Sequence, residues 1–256
     1  MFCVLTAGAQ KKFNGCQKVI ISDSLTVRVF SSDKNYVSFP EKNAGVKFKK
    51  GVLRLYRLRK MQMDVDGRTV SKTEEGNILI DLYLTKEVQN ILITDCVSMD
   101  FEGNFKTDKI IVKAENNSLV KGQISAQALG LFLKSGSEAY FGGSFRTVKF
   151  TADSSKIELK NFSAENSEFV LSGGSEISAE GKTVKLDLTV SGLSRFEALR
   201  LSAQNSTAKI SGNSDAFFNS SKTLKINISD RSHVVLTGNP KILEENVAAN
   251  CKFSRR

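Results

Sequence analysis

A small polar corner ending in serine recurs along this chain at Ser118, Ser137, Ser155, Ser175, Ser194, Ser214 and Ser232, about every 18–20 residues. The corners are built mostly from Asn, Gly, Ser and Asp, as in Asn116-Asn117-Ser118, Ser135-Gly136-Ser137 and Gly212-Asn213-Ser214. These residues accept positive φ or hydrogen-bond local backbone as a chain turns. Between corners the sequence alternates apolar and polar, as in Lys109-Ile110-Ile111-Val112-Lys113, Thr147-Val148-Lys149-Phe150-Thr151 and Thr183-Val184-Lys185-Leu186-Asp187-Leu188. Strand alternation with a fixed period of this size predicts a β-solenoid, because one unit cannot bury its apolar face alone and stacked units share a core. The expected fold is all-β: a single-stranded-type parallel β-helix of about eight units of 18–21 residues, preceded by an N-terminal β-strand region that caps it. A longer period of about 36–40 is also visible, since units beginning near Ala126, Ala164 and Leu201 alternate with the Lys-Thr and Arg-Thr units. One turn of the coil per short unit is the reading taken. Two prolines in the whole chain suit a fold whose N–H groups mostly join a ladder.

The chain divides on this pattern into residues 1–10, 11–77, 78–240 and 241–256. Residues 1–10 read as a truncated signal-peptide remnant, with Phe2 to Leu5 apolar and Ala7-Gly8-Ala9 as a small-x-small cleavage pattern. That implies export to the periplasm, outer-membrane surface or extracellular space. Residues 11–77 hold strands at Val19–Ile21, Leu25–Phe30, Tyr36–Phe39, Val46–Phe48 and Leu53–Leu55, then a hairpin loop with Asp66-Gly67 at its turn. Residues 78–240 are the repeats, entered through the alternating strand Ile78–Leu84. Residues 241–256 leave the pattern as a C-terminal tail or cap.

No run of 18 or more apolar residues occurs, so no membrane-spanning helix is expected. The chain carries 37 basic against 27 acidic residues, a net charge of +10, which favours anionic partners. Much of the excess lies between positions 42 and 60, where Lys42, Lys47, Lys49, Lys50, Arg54, Arg57, Arg59 and Lys60 have only Glu41 beside them. Lys47, Lys49, Lys50, Arg54, Arg57, Arg59 and Lys60 are the candidate polyanion-binding residues, with Tyr56 and Phe48 nearby. The same charges also read as the solvated sides of alternating strands, where they discourage edge pairing. A second basic stripe is conceivable if Lys109, Lys113, Lys149, Lys182, Lys185, Lys222 and Lys225 stack. No nucleic-acid motif accompanies the charge, so the expected partner is an acidic glycan or cell-surface polymer, with a homo-oligomer also open.

Catalytic and metal signatures are sparse. His233 is the single histidine, and no nucleophile elbow, phosphate-cradling loop or His/Cys metal spacing is present. Asp64-Val65-Asp66-Gly67 resembles a fragment of a calcium loop, but Arg68 and Thr69 break it. No cofactor is expected. Cys16 and Cys96 occupy apolar strand positions and read as buried thiols, while a disulfide from Cys251 to either would tie down the tail.

Phe13-Asn14-Gly15, Leu25-Thr26-Val27-Arg28-Val29, Gly51-Val52-Leu53-Arg54-Leu55 and the closing Val234-Val235-Leu236-Thr237-Gly238-Asn239-Pro240 together resemble a bacterial family. It is the family known as "putative auto-transporter adhesin, head GIN domain", and the likeness runs from Phe13 to Pro240. The sequence departs from it at Thr85, where the family often has proline, and in eroded corners such as Asn116-Asn117-Ser118. The resemblance implies a secreted or envelope-exposed β-helical protein of Gram-negative bacteria that binds rather than catalyses, and it brings no catalytic residues with it. The alternatives are a β-helical polysaccharide lyase or hydrolase, which would need long loops around a cleft that these short corners do not supply, and a structural protein acting through self-association.

Overall fold

A computed structural model describes residues 9–58, 63–65, 68–70, 77–95 and 97–256, the side chains of 63–65 and 68–70 excepted. The opening strands are β1 (Ala9–Lys12), β2 (Lys18–Ile21), β3 (Leu25–Ser31), β4 (Tyr36–Phe39), β5 (Ala44–Lys49) and β6 (Val52–Arg57). A small hairpin, β7 (Met63–Val65) with β8 (Arg68–Val70), precedes β9 (Ile78–Leu84) and β10 (Asn90–Ile93). Seven long strands follow: β11 (Ser98–Ala114), β12 (Leu119–Lys134), β13 (Glu138–Asp153), β14 (Lys156–Ser172), β15 (Glu176–Val190), β16 (Arg195–Ile210) and β17 (Asp215–Ile228). The chain closes with β18 (His233–Thr237), β19 (Lys241–Val247) and β20 (Lys252–Arg255).

From β11 to β18 each strand pairs in parallel with the next, and the partners Leu119, Glu138, Lys156, Glu176, Arg195, Asp215 and His233 form one continuous column. This is a β-solenoid of about nine turns with one turn per short unit. The long strands bend near their first third, at points such as Phe101/Asn104, Leu159/Phe162 and Ala198/Ser202, where the register between neighbouring turns shifts. Alternation along each face sends Ile157, Leu159, Phe169 and Leu171 inward and Lys156, Glu158, Glu168 and Val170 outward. The inward side chains stack in columns; Phe150 and Phe169 are direct strand partners with rings 5.2 Å apart and nearly parallel.

The serines form a buried column at one corner. Ser118, Ser155, Ser175, Ser194 and Ser214 each donate their backbone N–H to the Oγ of the serine one turn on, at 3.1–3.2 Å. A hydroxyl is small enough to fill the corner, and it satisfies an N–H that would otherwise be buried without a partner. That is the physical reason for the recurrence seen in the sequence.

The N-terminal region caps the stack, as expected, but part of it is also built into the coil. β2 lies between β6 and β10, and β3 lies between β9 and β11, all in parallel register. The chain therefore lays down the β2–β3 turn, steps outward to form β6 and β9, and returns to β10 on the other side. The antiparallel strands β5, β4 and β1 close this end, with Lys11 Nζ donating to the Val46 carbonyl at 3.4 Å to link the two outermost strands. Antiparallel closure stops a solenoid from extending by its own parallel pairing.

The C-terminal segment is ordered rather than loose: β19 pairs with β17 and β20 with β18. Glu245 and Arg255 occupy the columns of Ile226 and Leu236 and pair with each other across the end. The apolar interior thus ends in an ion pair. Cys16 and Cys251 are free thiols on the first and last turns, so no disulfide joins them, and Cys96 lies outside the described residues. Burial raises the Cys16 thiol above its ordinary pKa, in keeping with a packing role.

Candidate functional site

The β5–β6 hairpin is closed by Lys50 and Gly51, both with positive φ (50° and 74°), the conformation a two-residue hairpin turn demands. Its register sets Lys47 opposite Arg54 and Lys49 opposite Val52, while β2 continues the same surface with Lys18 beside Val52 and Ile20 beside Arg54. Directly paired residues share a face. Lys18, Lys47, Lys49 and Arg54 therefore stand together on one exposed surface, with Lys50 at its tip. Tyr56 belongs to this face too. Its ring lies across Gly45 on the edge strand, where a Cβ would come within 2.4 Å of the ring carbons.

Among the described residues none of Lys18, Lys47, Lys49, Lys50 and Arg54 makes an ion pair. The remaining surface is organised differently. One outward column reads Glu138, Lys156, Glu176, Arg195, Asp215, His233, Lys252, with signs alternating turn by turn from Glu138 to Asp215. Ion pairs such as Lys149–Glu168 at 2.6 Å and Arg28–Asp81 at 2.7 Å neutralise neighbouring rows. The flanks thus mix charges of both signs, whereas the β5–β6 face carries Lys18, Lys47, Lys49 and Arg54 with Lys50 at its tip.

Of the residues singled out in the sequence, Lys47, Lys49, Lys50 and Arg54 come together. Arg57 does not join them: it sits opposite Ala44 on the alternate side of β6, half-buried and already engaged. Arg59 and Lys60 lie outside the described residues, as does the calcium-like stretch Asp64–Gly67 in its side chains. Phe48 also turns away, packing inward with its ring 5.5 Å from that of Phe13. Lys18 is the member the sequence reading missed, because only the parallel pairing of β2 with β6 brings it near.

The second lysine stripe does not form. Lys149 stacks on Gly130 and Glu168, Lys185 on Asn166 and Asn205, and Lys113 on Phe132, so the lysines spread over several columns and are separated within them by acids and neutral side chains. Turn lengths of 18 to 20 residues look equivalent in sequence, but bulges at the bends shift them relative to one another.

His233 is a surface packing residue, with Nδ1 3.7 Å from Asp215 and its ring edge-on to Phe217. Among the described residues no group of three His, Cys, Asp or Glu side chains is arranged to hold a metal. No helix is long and apolar enough to cross a membrane.

Solved structures with the same fold span nearly the whole chain. A crystal structure described as a putative lipid binding protein from Parabacteroides distasonis is 14% identical, covers 98% of both chains and superposes with a TM-score of 0.65. A putative adhesin from Parabacteroides merdae is 11% identical over 97% of this chain and 95% of its own, with a TM-score of 0.65. A further putative adhesin from Parabacteroides distasonis is 14% identical over 96% and 95%, with a TM-score of 0.62. At such identity these likenesses concern the fold. No curated protein matches the chain. The profile of the "putative auto-transporter adhesin, head GIN domain" family matches residues 16–178 and 151–240, from the first turn to the last of the repeats, and the chain belongs to that family.

Proposed function

We propose that this protein is a non-catalytic adhesion module, exported to the cell envelope, whose basic capped end engages an acidic glycan or envelope polymer. One observation carries the reading: Lys18, Lys47, Lys49, Lys50 and Arg54 share an exposed end with no acidic partner among the described residues, while the flanks mix charges of both signs. A rigid stack that mixes both signs along its length and gathers cations at one end directs polyanions there. Membership of a family named for adhesins supports both the adhesive role and the surface location. The short corners, which leave little loop from which to build a reaction cleft, favour binding over turnover.

The test is an array of acidic and uncharged glycans probed at about 50 and 300 mM salt, with wild type and the Lys47→Ala/Lys49→Ala/Arg54→Ala variant. Wild type is expected to bind acidic glycans at low salt, to weaken at high salt, and to lose at least tenfold in affinity in the triple variant. Acidic-glycan binding indifferent to both changes contradicts the proposal, as does steady release of unsaturated or shortened products.

A further inference from the structure

The flank of the solenoid carries a recess that the basic end does not explain. At the bend of each long strand the number of residues between inward-facing positions varies. β14 places Lys160 and Asn161 opposite Glu180 alone, and β16 places Ala198, Leu199 and Arg200 opposite only Ala179 and Glu180. The β15 turn is therefore drawn in between two bulged neighbours. Gly181 allows the short bend: its φ is 138°, and a Cβ there would meet the Phe162 carbonyl oxygen at 1.9 Å. The result is a groove of about 550 Å³ with a floor of Ser178, Ala179 and Glu180.

The walls of this groove are chemically mixed. Glu158 and Glu197 flank Ser178 in one outward column, which Phe217 continues. Each carboxylate is held by a base: Glu158 by Lys160 at 2.6 Å, Glu180 by Arg200 at 3.6 Å, and Glu197 by Arg195. Arg195 also lies over the Phe217 ring at 4.7 Å, and Leu199 is 43% exposed on the ledge. Three carboxylates face three paired bases, and Arg256 also lines the groove, so it offers a dense set of oriented donors and acceptors. Its volume falls within the range of small-molecule sites, roughly 300–1,000 Å³.

From this geometry we infer that the β14–β16 recess is a binding subsite for an uncharged sugar residue of a glycan chain. Ion-paired carboxylates and guanidinium groups match the adjacent hydroxyls of a pyranose, which donate and accept in alternation. Ser178 supplies one further hydroxyl. The exposed Leu199 and the Phe217 ring provide apolar surface for the C–H face of the ring. The recess shares no residue with the Lys47, Lys49 and Arg54 face, so the subsite is independent of the basic end and selects a different part of a glycan.

The test is an array of uncharged oligosaccharides, with the best binder then titrated by calorimetry at about 0.15 and 1 M sodium chloride. Wild type is expected to bind with affinity that changes less than threefold between the two salts. Ser178→Arg, which fills the recess from an outward-facing strand position, is expected to weaken binding at least fivefold; so is Phe217→Ala. The Lys47→Ala/Lys49→Ala/Arg54→Ala variant is expected to bind the uncharged oligosaccharide like wild type, which separates this subsite from the basic end. Melting curves establish that each variant is folded, and Phe217→Ala stands alone if Ser178→Arg is not. The inference is overturned by an array without an uncharged binder, or by affinity that a folded groove variant lowers less than fivefold.

Discussion

The Ser194 hydroxyl accepts the buried Ser175 N–H at 3.1 Å, and the Ser194 N–H passes in turn to Ser214 at 3.2 Å. Replacing Ser194 with Ala leaves the Ser175 N–H without a partner where water does not reach. Ser194→Ala is therefore expected to lower unfolding free energy by about 1–3 kcal/mol in urea denaturation, with the native circular dichroism spectrum retained. Asp95 supplies a residue-scale test of pH dependence. Hydrogen bonds from Asn116 and then Thr94 hold its carboxyl below the usual 3.8. A carboxyl depressed in the folded state adds stability above its unfolded pKa and loses it as pH falls through the folded value. Asn116→Ala is expected to move the Asp95 titration upward by NMR, erasing stability that wild type holds at neutral pH and surrenders below about pH 3.8.

At the scale of elements, the bends decide where turns align and where they slip. Gly181→Ala would force a Cβ into the Phe162 backbone, against a carbonyl that cannot swing aside as a side chain end would. It is expected to cost about 3 kcal/mol or more, well above an ordinary strand Gly→Ala change, by the same denaturation assay. The two ends are elements of another kind. Glu245 and Arg255 complete the columns of Ile226 and Leu236 with a polar pair. Converting both to Leu exposes a continuous apolar end, and light scattering is expected to register concentration-dependent association beyond that of wild type.

These elements also mark where sequence reasoning succeeded. The serine corners and alternating strands were legible because stacking demands the same residue type at the same place on every turn. The strands at Val46–Phe48 and Leu53–Leu55 were legible from their alternation alone. The insertion of β2 between β6 and β10 was not, since no local signal reports which of several similar strands will be neighbours. The same blindness joined Arg57 to a face it does not share, and placed lysines of different turns in one imagined stripe. Bulges of a single residue move a column by one position, and a count of residues between corners does not locate them.

Across the whole molecule, parallel stacking makes a rod of uniform cross-section, with turns about 4.8 Å apart and chemistry graded along its axis. Charges of both signs run up one flank, the recess opens beside that column with Arg195 shared between them, and the β5–β6 face carries a cluster of cations. The most direct measurement of the central claim is the affinity for polygalacturonate, a chain of carboxylated sugars, followed as a function of salt in wild type and in Lys47→Ala/Lys49→Ala/Arg54→Ala. Each cation engaged adds on the order of one to the slope of log affinity against log salt. The account predicts a steep negative slope for wild type that flattens by about two to three in the folded triple variant; equal slopes for the two proteins, or no salt dependence in either, would contradict it.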